Sequence, residues 1–491
     1  MHKRWALAAI AVAGTAAVGG LALSSAGPAD PVASPAIEIA QAQPQGQAKR
    51  LPQSQTEIKL SYAPIVKRVA PAVVNVYASR VVASRPISPF FNDPFFQRFF
   101  GNQGQPSRRI QQSLGSGVIV DPSGIIVTNN HVIAGADEIK AALADGREFV
   151  CDIMVKDERA DLAVLQLKGL QGQLSSLEFA DSDLVEVGDL VLAVGDPFGV
   201  GQTVTSGIIS ALARTQISSS NPKVYLQTDA AINPGNSGGA LVDMDGRLIG
   251  INTAIYSPSG GSAGVGFAIP SNMVRLVVAS ARAGRRIQRP WIGAQFQAVT
   301  SEIAAGLGIE LPRGALVIDV EPKGPAAVAG LEVSDLVLAV DGVDIADPAA
   351  LNYRLTTTGV GNDAAFTVLR GGGTRQVKVR LIAAPETVPR DERQIDGKSP
   401  FSGVTVVNLS PAVAEEFGVQ DGEAGVMVSD VAAASPARQI GLAAGDIILD
   451  INGEPVDTTL RMQELAGQEA RLWRFSINRN GRVLPTVIGT W

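Results

Sequence analysis

An internal repeat in the C-terminal part of the chain restricts its architecture more than any other feature. A pattern of glycine, leucine, aspartate and proline recurs without a gap, displaced by 111 residues. That period is far longer than the roughly 20 to 50 residues of a solenoid unit and matches a small domain. The chain should therefore contain two duplicated domains in succession. The first copy comprises Gly314, Val317, Pro325, Gly330, Leu331, Asp335, Leu338 and Gly342, and the second comprises Gly425, Val428, Pro436, Gly441, Leu442, Asp446, Leu449 and Gly453.

Turn signals within both copies predict β-hairpins. Asp-Gly, Asn-Gly and glycine-only pairs between apolar runs are typical of two-residue turns with positive φ. Each copy should be a small β-rich domain with one or two helices. The charged, proline-containing stretch from Thr387 to Lys398 should link the two copies. The turn signals are Asp341-Gly342, Gly371-Gly372-Gly373, Asn452-Gly453 and Asn480-Gly481.

The part of the chain before the repeat has the pattern of a different, all-β domain. From Gly115 to Ala279, short Val/Ile/Leu runs alternate with glycine and Asp-Gly turns. Regularly spaced short strands of this kind predict a barrel or a sandwich. Because Met273, Leu276 and Val277 have helical spacing, the segment from Asn272 to Ala283 should be a closing helix.

The N-terminal segments have the composition of targeting and connecting sequence. Residues 1–26 combine a basic start, an apolar run and a small-residue end, the layout of a bacterial export signal. An uncleaved membrane anchor is the alternative, because the apolar run approaches the length of a spanning helix. Residues 27–57, rich in Pro, Ala, Gln and Ser, cannot bury enough surface to fold. In the irregular stretch from Ser84 to Gln112, paired phenylalanines between Phe90 and Phe100 should dock on another surface, such as a second subunit, or on one another.

Charge and composition exclude several functional classes. The 491-residue chain has a formal net charge of −6 and no long basic run beyond its N-terminus, which argues against a nucleic-acid partner. It has no phosphate-binding P-loop, so no nucleotide is expected. Two histidines and one cysteine cannot assemble a typical zinc site, so neither a metal nor another cofactor is expected. Cys151 lies in an apolar run and should be a buried thiol, not a nucleophile.

The scarcity of histidine gives weight to the motif Gly235-Asn236-Ser237-Gly238-Gly239. A serine becomes a good nucleophile when an adjacent base takes its proton, and histidine is the usual base. Because His2 lies in the export segment, only His131 can serve Ser237. The glycines would permit a tight turn and direct backbone amides towards a developing oxyanion. Taken alone, the motif fits an ordinary turn equally well, and a lone histidine fits a structural role.

A serine hydrolase also needs a carboxylate that orients its base. Asp161 directly precedes the apolar run from Leu162 to Val164, and burial there would demand a strong partner such as an imidazole N–H. Position in the sequence does not decide between this aspartate and its rivals. The rivals are Asp152, Asp157, Asp181 and Asp196.

The order and the contexts of these residues resemble the HtrA (Do-like, or Deg) serine endoproteases of the bacterial envelope. His131 lies in Thr-Asn-Asn-His-Val-Ile, Asp161 in Asp-Leu-Ala-Val, and Ser237 in Gly-Asn-Ser-Gly-Gly-Ala-Leu. The resemblance covers about Tyr62 to Trp491 and implies a mainly β protein, with a chymotrypsin-like double β-barrel before two PDZ domains. Further matching motifs are Gly115-Ser116-Gly117-Val118-Ile119, Gly195-Asp196-Pro197-Phe198-Gly199, Thr205-Ser206-Gly207-Ile208-Ile209-Ser210 and Gly266-Phe267-Ala268-Ile269-Pro270-Ser271.

The resemblance also implies domain boundaries and catalytic roles. His131 would be the general base, Asp161 its orienting carboxylate and Ser237 the nucleophile of an acyl-enzyme mechanism. The backbone amides of Gly235 and Ser237 would form the oxyanion hole. The implied ranges are 58–285 for the protease domain with a regulatory loop at 84–112, 286–386 for the first PDZ domain, 387–399 for the linker and 400–491 for the second PDZ domain.

Substrate-binding residues follow from the same resemblance. Ile232 and Ile255 are candidate walls of an apolar S1 pocket that would accept small aliphatic residues. In the second PDZ domain, Ser402 replaces an apolar residue within Phe401-Ser402-Gly403-Val404, so peptide binding and an interdomain contact are equally open there. The implied substrate contacts are Gly235, Asn236, Ser237, Thr253, Ala254, Ile255, Tyr256 and Ser257, with Trp291, Ile292, Gly293 and Ala294 binding a peptide C-terminus in the first PDZ domain.

Taken together, these implications describe an exported, ATP-independent endoprotease that degrades misfolded proteins in the periplasm. Its PDZ domains would bind exposed C-termini, and Ser61 to Val69 would support a homotrimer or larger multiples of trimers. Redox control of the Phe-rich loop is not expected, since that loop has no cysteine pair. The rival hypothesis is a chaperone or scaffold with an idle protease fold. The intact Ser237, His131 and Asp161 argue against it, although a chaperone activity alongside proteolysis stays open.

Overall fold

The computed structural model describes residues 61–82, 109–196, 201–214, 224–233, 235–255, 264–285, 287–419 and 425–489. The predicted export signal, the leader and the phenylalanines between Phe90 and Phe100 lie outside these ranges. Within the ranges, no helix has the length and hydropathy needed to cross a membrane.

Two closed antiparallel β-barrels of six strands follow the short N-terminal helix α1 (Ala63–Val69). The first barrel contains β1 (Val73–Val82), β2 (Arg109–Asp121), β3 (Ile125–Thr128), β4 (Glu138–Ala142), β5 (Glu148–Asp157) and β6 (Leu162–Leu167), with α2 (Asn130–Ile133) after β3. Its strands close in the order β1-β2-β3-β6-β5-β4. The ladder of β1 and β2 extends to Val82 opposite Arg109, so the last four residues of the stretch predicted to be irregular are strand.

The second barrel closes in the order β10-β11-β12-β9-β8-β7 and ends in a helix. Its elements are β7 (Leu190–Gly195), β8 (Thr203–Arg214), β9 (Tyr225–Thr228), β10 (Ala240–Val242), β11 (Leu248–Ile255), β12 (Gly266–Pro270) and α3 (Ser271–Arg282). Val274, Val277 and Val278 of α3 are buried in the core that the helix shares with the first barrel. The predicted double barrel and its closing helix are confirmed.

The first repeated domain is a β-sheet with three helices, where the sequence predicted one or two. Two of the helices have only seven and five residues, too short to show a helical period in the sequence. The sheet has the order β14-β15-β16-β18-β19, so β14 lies at its edge. The elements are β13 (Pro290–Trp291), β14 (Ala294–Ala298), α4 (Ser301–Leu307), β15 (Ala315–Val320), α5 (Pro325–Ala329), β16 (Leu336–Val340), β17 (Val343–Asp344), α6 (Pro348–Thr358), β18 (Asp363–Arg370), β19 (Gly373–Arg380) and β20 (Ile382–Ala383).

The second repeated domain reproduces the main sheet of the first with one additional strand and has no counterpart of the separate two-stranded sheet β13-β20 among its described residues. Its elements are β21 (Arg393–Ile395), β22 (Val404–Asn408), α7 (Pro411–Phe417), β23 (Val426–Val431), α8 (Pro436–Gln439), β24 (Ile447–Ile451), β25 (Glu454–Pro455), α9 (Thr459–Ala466), β26 (Leu472–Arg479) and β27 (Arg482–Gly489). The sheet has the order β21-β22-β23-β24-β26-β27. Strand β21 falls within residues 387–399, so part of the predicted linker belongs to this sheet.

A buried ion pair explains why aspartate recurs in both copies, and the same arginine contacts the carbonyl of the repeated glycine. The side chain of Asp335 is 1% exposed, and its Oδ2 lies 2.5 Å from a guanidinium nitrogen of Arg370. The same guanidinium donates to the carbonyl of Gly330 at 2.7 Å. In the second copy, Arg479 joins Asp446 at 2.6 Å and the carbonyl of Gly441 at 2.7 Å. In each domain these contacts join the turn that contains the repeated glycine and aspartate to the strand that contains the arginine, which is β18 in the first domain and β26 in the second.

All four predicted hairpin turns are confirmed. In each turn the two central residues have positive φ, and the flanking strand residues pair directly across the turn. This geometry matches the right-handed twist of the strands and favours asparagine, aspartate and glycine. The central pairs are Asp341-Gly342, Gly371-Gly372, Asn452-Gly453 and Asn480-Gly481.

An ion cluster joins the first barrel to both repeated domains. Asp157 at the end of β5, 4% exposed, lies 2.6 Å from the guanidinium of Arg289, which precedes β13. Arg159 donates to the carbonyl of Glu415 in α7 at 2.5 Å. Burial lowers the pKa of Arg159, as does the neighbouring charge of Arg289, so this contact is desolvated.

Candidate active site

Ser237 lies in a tight turn between β9 and β10 of the second barrel, and two glycines permit that turn. Gly235 and Gly238 have φ of 98° and 83°, values that residues with a β-carbon rarely adopt. The carbonyl of Ser237 accepts a hydrogen bond from the amide of Ser116 at 2.8 Å. Among the described residues, the amides of Gly235 and Ser237 donate to no other group. Neither amide therefore has an acceptor within the described part of the chain, and their role as an oxyanion hole stays a prediction.

Changing Gly238 to alanine should abolish proteolysis, because the turn has no room for a side chain. A β-carbon there would lie 2.1 Å from the carbonyl oxygen of Ser116 and 2.4 Å from Oγ1 of Thr128. Gly188 is a matched control, since its φ is 101° and nothing lies within 4 Å of its β-carbon position. We expect Gly188→Ala to cost about 1 kcal/mol of stability and to keep its activity. Equal activities of the two variants in a peptide-cleavage assay would contradict this account.

His131 and Asp161 meet although they are thirty residues apart. His131 is the second residue of the short helix α2 after β3, and Asp161 immediately precedes β6, the strand paired with β3. Nδ1 of His131 lies 2.8 Å from Oδ2 of Asp161, and the His131 amide donates to Oδ1 at 3.0 Å. Asp161 has a φ of 56°, which is unusual for a residue other than glycine. The amide of Asn130 and the side chain of Asn129 both donate to its carbonyl and hold this conformation.

Burial raises the pKa of Asp161, but hydrogen bonds outweigh that effect. The side chain, charge and amide of His131, together with the hydroxyl of Thr253, hold the pKa below its ordinary value. Asp161 is therefore ionised at neutral pH. An ionised carboxylate at Nδ1 fixes the tautomer of the imidazole and leaves Nε2 able to accept a proton.

Thr253 connects the carboxylate to the serine. Its hydroxyl donates to Oδ2 of Asp161 at 2.9 Å, and its backbone carbonyl accepts a hydrogen bond from Oγ of Ser237 at 2.9 Å. Within the described ranges, no hydrogen bond joins Ser237 to His131. Because a hydroxyl has one proton, the Ser237 hydroxyl must give up its hydrogen bond to the carbonyl of Thr253 before it can donate to the imidazole. Hydrogen bonds of this kind often form only when substrate is bound.

The four rival aspartates have other partners. Asp152 pairs with Lys168 on the surface, Asp157 pairs with Arg289, and Asp181 accepts a hydrogen bond from the amide side chain of Asn272. The backbone amide of Asp196 donates to the hydroxyl of Ser116, and the carboxylate of Asp196 accepts from the backbone amide of Gly201. Cys151 is also remote from this chemistry: burial raises the pKa of its thiol to about 12, and the predicted buried thiol is confirmed.

Sequence reasoning did not find two residues that support this site. The Ser116 hydroxyl donates to the carbonyl of Gly235 at 2.6 Å, so β2 braces the turn that carries Ser237. The Thr253 hydroxyl, which the sequence suggested only as part of a substrate strand, is a second partner of Asp161. Serine and threonine are common, and only the meeting of distant strands identifies these two.

The predicted substrate-binding residues are described in part. Asn236 is buried beside Ser237, Thr253 lies on β11, and Ile232 is 1% exposed within the core of the second barrel. The side chains of Ala254 and Ile255, and the residues Tyr256 and Ser257, lie outside the described part of the chain. In the first repeated domain, Trp291 belongs to β13, Ile292 and Gly293 form a loop, and Ala294 begins the edge strand β14.

Comparisons with known proteins agree with this architecture. A trypsin-like peptidase domain matches residues 115–251, and PDZ domains match residues 290–381 and 427–469. The periplasmic serine endoprotease DegP of Salmonella typhimurium is 38% identical over 442 residues, which are 85% of this chain and 90% of the relative. A probable periplasmic serine protease of Haemophilus influenzae, described as do/HhoA-like, is 40% identical over 431 residues, with coverages of 85% and 90%. A solved variant of the HtrA-type protease AlgW with a decapeptide is 43% identical, with a TM-score of 0.50, and covers 67% of this chain and 99% of its own.

Proposed function

This chain belongs to the DegP/HtrA family of serine endoproteases, and we propose that it cleaves misfolded proteins in the bacterial periplasm through a triad of Ser237, His131 and Asp161. One observation carries the assignment of the triad. Oδ2 of Asp161 accepts from both His131 and Thr253, and the carbonyl of Thr253 accepts from the Ser237 hydroxyl, so all three side chains belong to one connected set.

In the proposed mechanism, substrate binding turns the Ser237 hydroxyl from the carbonyl of Thr253 to Nε2 of His131. Oγ attacks the carbonyl carbon of the scissile bond while His131 takes the proton and Asp161 stabilises the imidazolium. The amides of Gly235 and Ser237 stabilise the oxyanion. The C–N bond then breaks, the leaving amine takes the proton from His131, and water hydrolyses the acyl-enzyme by the reverse sequence of proton transfers.

Substrate capture is proposed for the first PDZ domain. Strand β14 lies at the edge of its sheet, and the loop of Ile292 and Gly293 precedes it. An extended peptide can add to such an edge through backbone hydrogen bonds, with its carboxylate on the amides of the loop. We also propose export with cleavage near Ala26, and assembly into a trimer or multiples of trimers. N-terminal sequencing and light scattering of the purified protein test these two statements.

The test of the proposed activity uses the purified full chain, unfolded casein and no nucleotide. The wild-type protein should cleave casein, and a fluorophosphonate probe should label it on Ser237. The Ser237→Ala variant should lose both cleavage and labelling, while its melting temperature stays close to that of the wild type. A wild-type protein that prevents aggregation of unfolded substrate but neither cleaves casein nor reacts with the probe would instead be the idle-protease chaperone.

A further inference from the structure

The two PDZ domains differ at the strand where a peptide would bind. In the first domain, β14 lies at the edge of its sheet and pairs only with β15 among the described strands. In the second domain, the equivalent strand β22 pairs with β23 on one side and with β21 on the other. Strand β21 comes from the segment that connects the two domains. The edge is therefore already occupied by the protein's own chain.

The register of β21 is that of an antiparallel peptide along β22. Arg393 lies opposite Val406, and Ile395 lies opposite Val404. Further along, the amide of Asn408 donates to the carbonyl of Arg390, and its side chain donates to the carbonyl of Pro389, both at 2.8 Å. The connecting segment thus follows the whole length of β22. A peptide that binds by strand addition would need the same hydrogen-bonding groups.

Ile395 lies where a C-terminal residue would lie. Its side chain is 1% exposed and belongs to the apolar cluster that contains Phe401, Val404, Met462 and Leu465. Its carbonyl accepts a hydrogen bond from the amide of Gly403 at 2.8 Å. That amide belongs to the loop before β22, the loop that would receive a peptide carboxylate.

The amide of Gly293 in the first domain corresponds to that of Gly403 but has no acceptor among the described residues. An equivalent backbone hydrogen bond in each domain shows that Gly293 corresponds to Gly403. The amide of Glu321 donates to the carbonyl of Gly293, and the amide of Ala432 donates to the carbonyl of Gly403. Within the described ranges, the Gly293 amide donates to no group of the protein, whereas the Gly403 amide is taken by Ile395. The first loop can receive a ligand, and the second already has one.

Polar contacts fasten the segment to helix α9, which forms the other wall of the groove. The Arg393 guanidinium donates to Oε1 of Gln463 at 2.9 Å and pairs with Asp391 at 2.8 Å. Oδ2 of Asp391 in turn accepts from the Thr459 hydroxyl at 2.6 Å. The segment that contains β21 is therefore bound to both β22 and α9, the two elements that line the groove.

We propose that residues Pro389–Ile395 are an intramolecular ligand that fills the peptide groove of the second PDZ domain. A short tether gives such a ligand an effective concentration on the order of 1 mM, against which a free peptide at micromolar concentration competes poorly. Each chain then has one groove for C-termini, in the first PDZ domain, and the second domain serves to fix the two domains together. The choice of probe and the stoichiometry of one peptide per chain rest on the peptide capture proposed for the first PDZ domain, whereas occupation of the second groove does not.

The test is hydrogen exchange on the full chain, with and without a short synthetic peptide that has an apolar last residue and a free carboxylate. Without peptide, the amide of Gly403 and those amides of Arg393 to Ile395 that face β22 should exchange slowly. Peptide at saturation should slow those amides of Ala294 to Ala298 that face away from β15 and leave the amides of Val404 to Asn408 unchanged. Fast exchange of the segment without peptide, or its release when peptide is added, would overturn the inference. A peptide without effect on Ala294 to Ala298 would count against capture by the first domain, while the exchange without peptide would still decide the inference.

A pair of variants tests the occupant directly. Ile395→Asp puts a charge into the apolar pocket and should expel the segment, so that the number of peptides bound per chain rises from one to two by calorimetry. Gln394→Asp is the matched control, because Gln394 is exposed on the same strand, and its stoichiometry should stay at one. Two peptides bound by the wild-type chain would contradict the proposal. If Ile395→Asp unfolds the domain, hydrogen exchange of the wild-type protein decides the question.

Discussion

Replacing Ser237 with alanine should lower kcat/KM for an unfolded protein by about 10⁶-fold, and replacing His131 with alanine should have an effect of the same size. The imidazole is needed to take the proton from the hydroxyl, so each side chain is useless without the other. The double variant should therefore be no less active than either single variant. Cleavage of fluorescently labelled casein, followed over hours at high enzyme concentration, measures these residual rates.

Substitutions of Asp161 and of Thr253 compare the contribution of the carboxylate with that of the hydroxyl that donates to it. Asp161→Asn should reduce kcat by about 10⁴-fold, because the neutral amide no longer fixes the tautomer of His131. Thr253→Val removes one hydroxyl that donates to Asp161 but keeps the backbone carbonyl. A hydrogen bond to a charged group contributes about 1.5 to 3 kcal/mol, so this variant should lose about 10- to 100-fold. Activity of His131→Ala well above that of Ser237→Ala would contradict the assignment of the base.

Features that depend on a few neighbouring residues, or on the rarity of one residue type, were predictable from the sequence. Asp341-Gly342 and Asn452-Gly453 form turns because two residues with positive φ can close a hairpin wherever they occur. His131 was predicted as the partner of Ser237 because the second histidine of the chain, His2, lies in the predicted export segment. Position in the sequence left Asp161 as one of several candidates, and the family resemblance selected it. In the structure its strand pairs with the strand that leads to His131.

The remaining features depend on residues that are distant in the sequence. Ser116 braces the turn of Ser237 only because β2 of the first barrel reaches the second barrel. Residues 387–399 have the charge and proline content of a linker, yet Arg393 to Ile395 pair with β22. A three-residue strand has no periodicity that a sequence pattern can reveal. Its conformation is set by the open edge beside it, which becomes visible only in the folded domain.

Replacing Asp157 with alanine should lower the stability of the protease domain by about 3 to 5 kcal/mol, because it leaves the Arg289 guanidinium without its carboxylate at a mostly buried position. The same carboxylate also accepts from the amides of Arg159 and Ala160 at 3.0 and 3.1 Å. These amides belong to the turn that leads directly into Asp161. Proteolytic activity should therefore decrease together with stability, although Asp157 lies outside the triad.

Asp152→Ala is a matched control on the same strand. Asp152 pairs with Lys168 at 2.6 Å, but the two side chains are 61% and 54% exposed, and exposed pairs contribute at most about 1 kcal/mol. In a thermal scan, Asp157→Ala should lower the transition of the protease domain by about 6 to 20 °C, and Asp152→Ala by no more than about 4 °C. Equal shifts would show that burial of the ion pair is unimportant.

Asp157→Asn separates the two roles of this carboxylate. The amide oxygen of asparagine can still accept from the turn, but it carries no charge to balance Arg289 and Arg159. If the turn is what orients Asp161, Asp157→Asn should recover most of the proteolytic activity at a temperature where the variant is folded, while its melting temperature stays low. If the charge cluster between the barrel and the PDZ domains controls the active site, activity should stay low as well. The pair of readouts thus distinguishes local support of Asp161 from control by the distant Glu415 in the second PDZ domain, whose carbonyl accepts from Arg159.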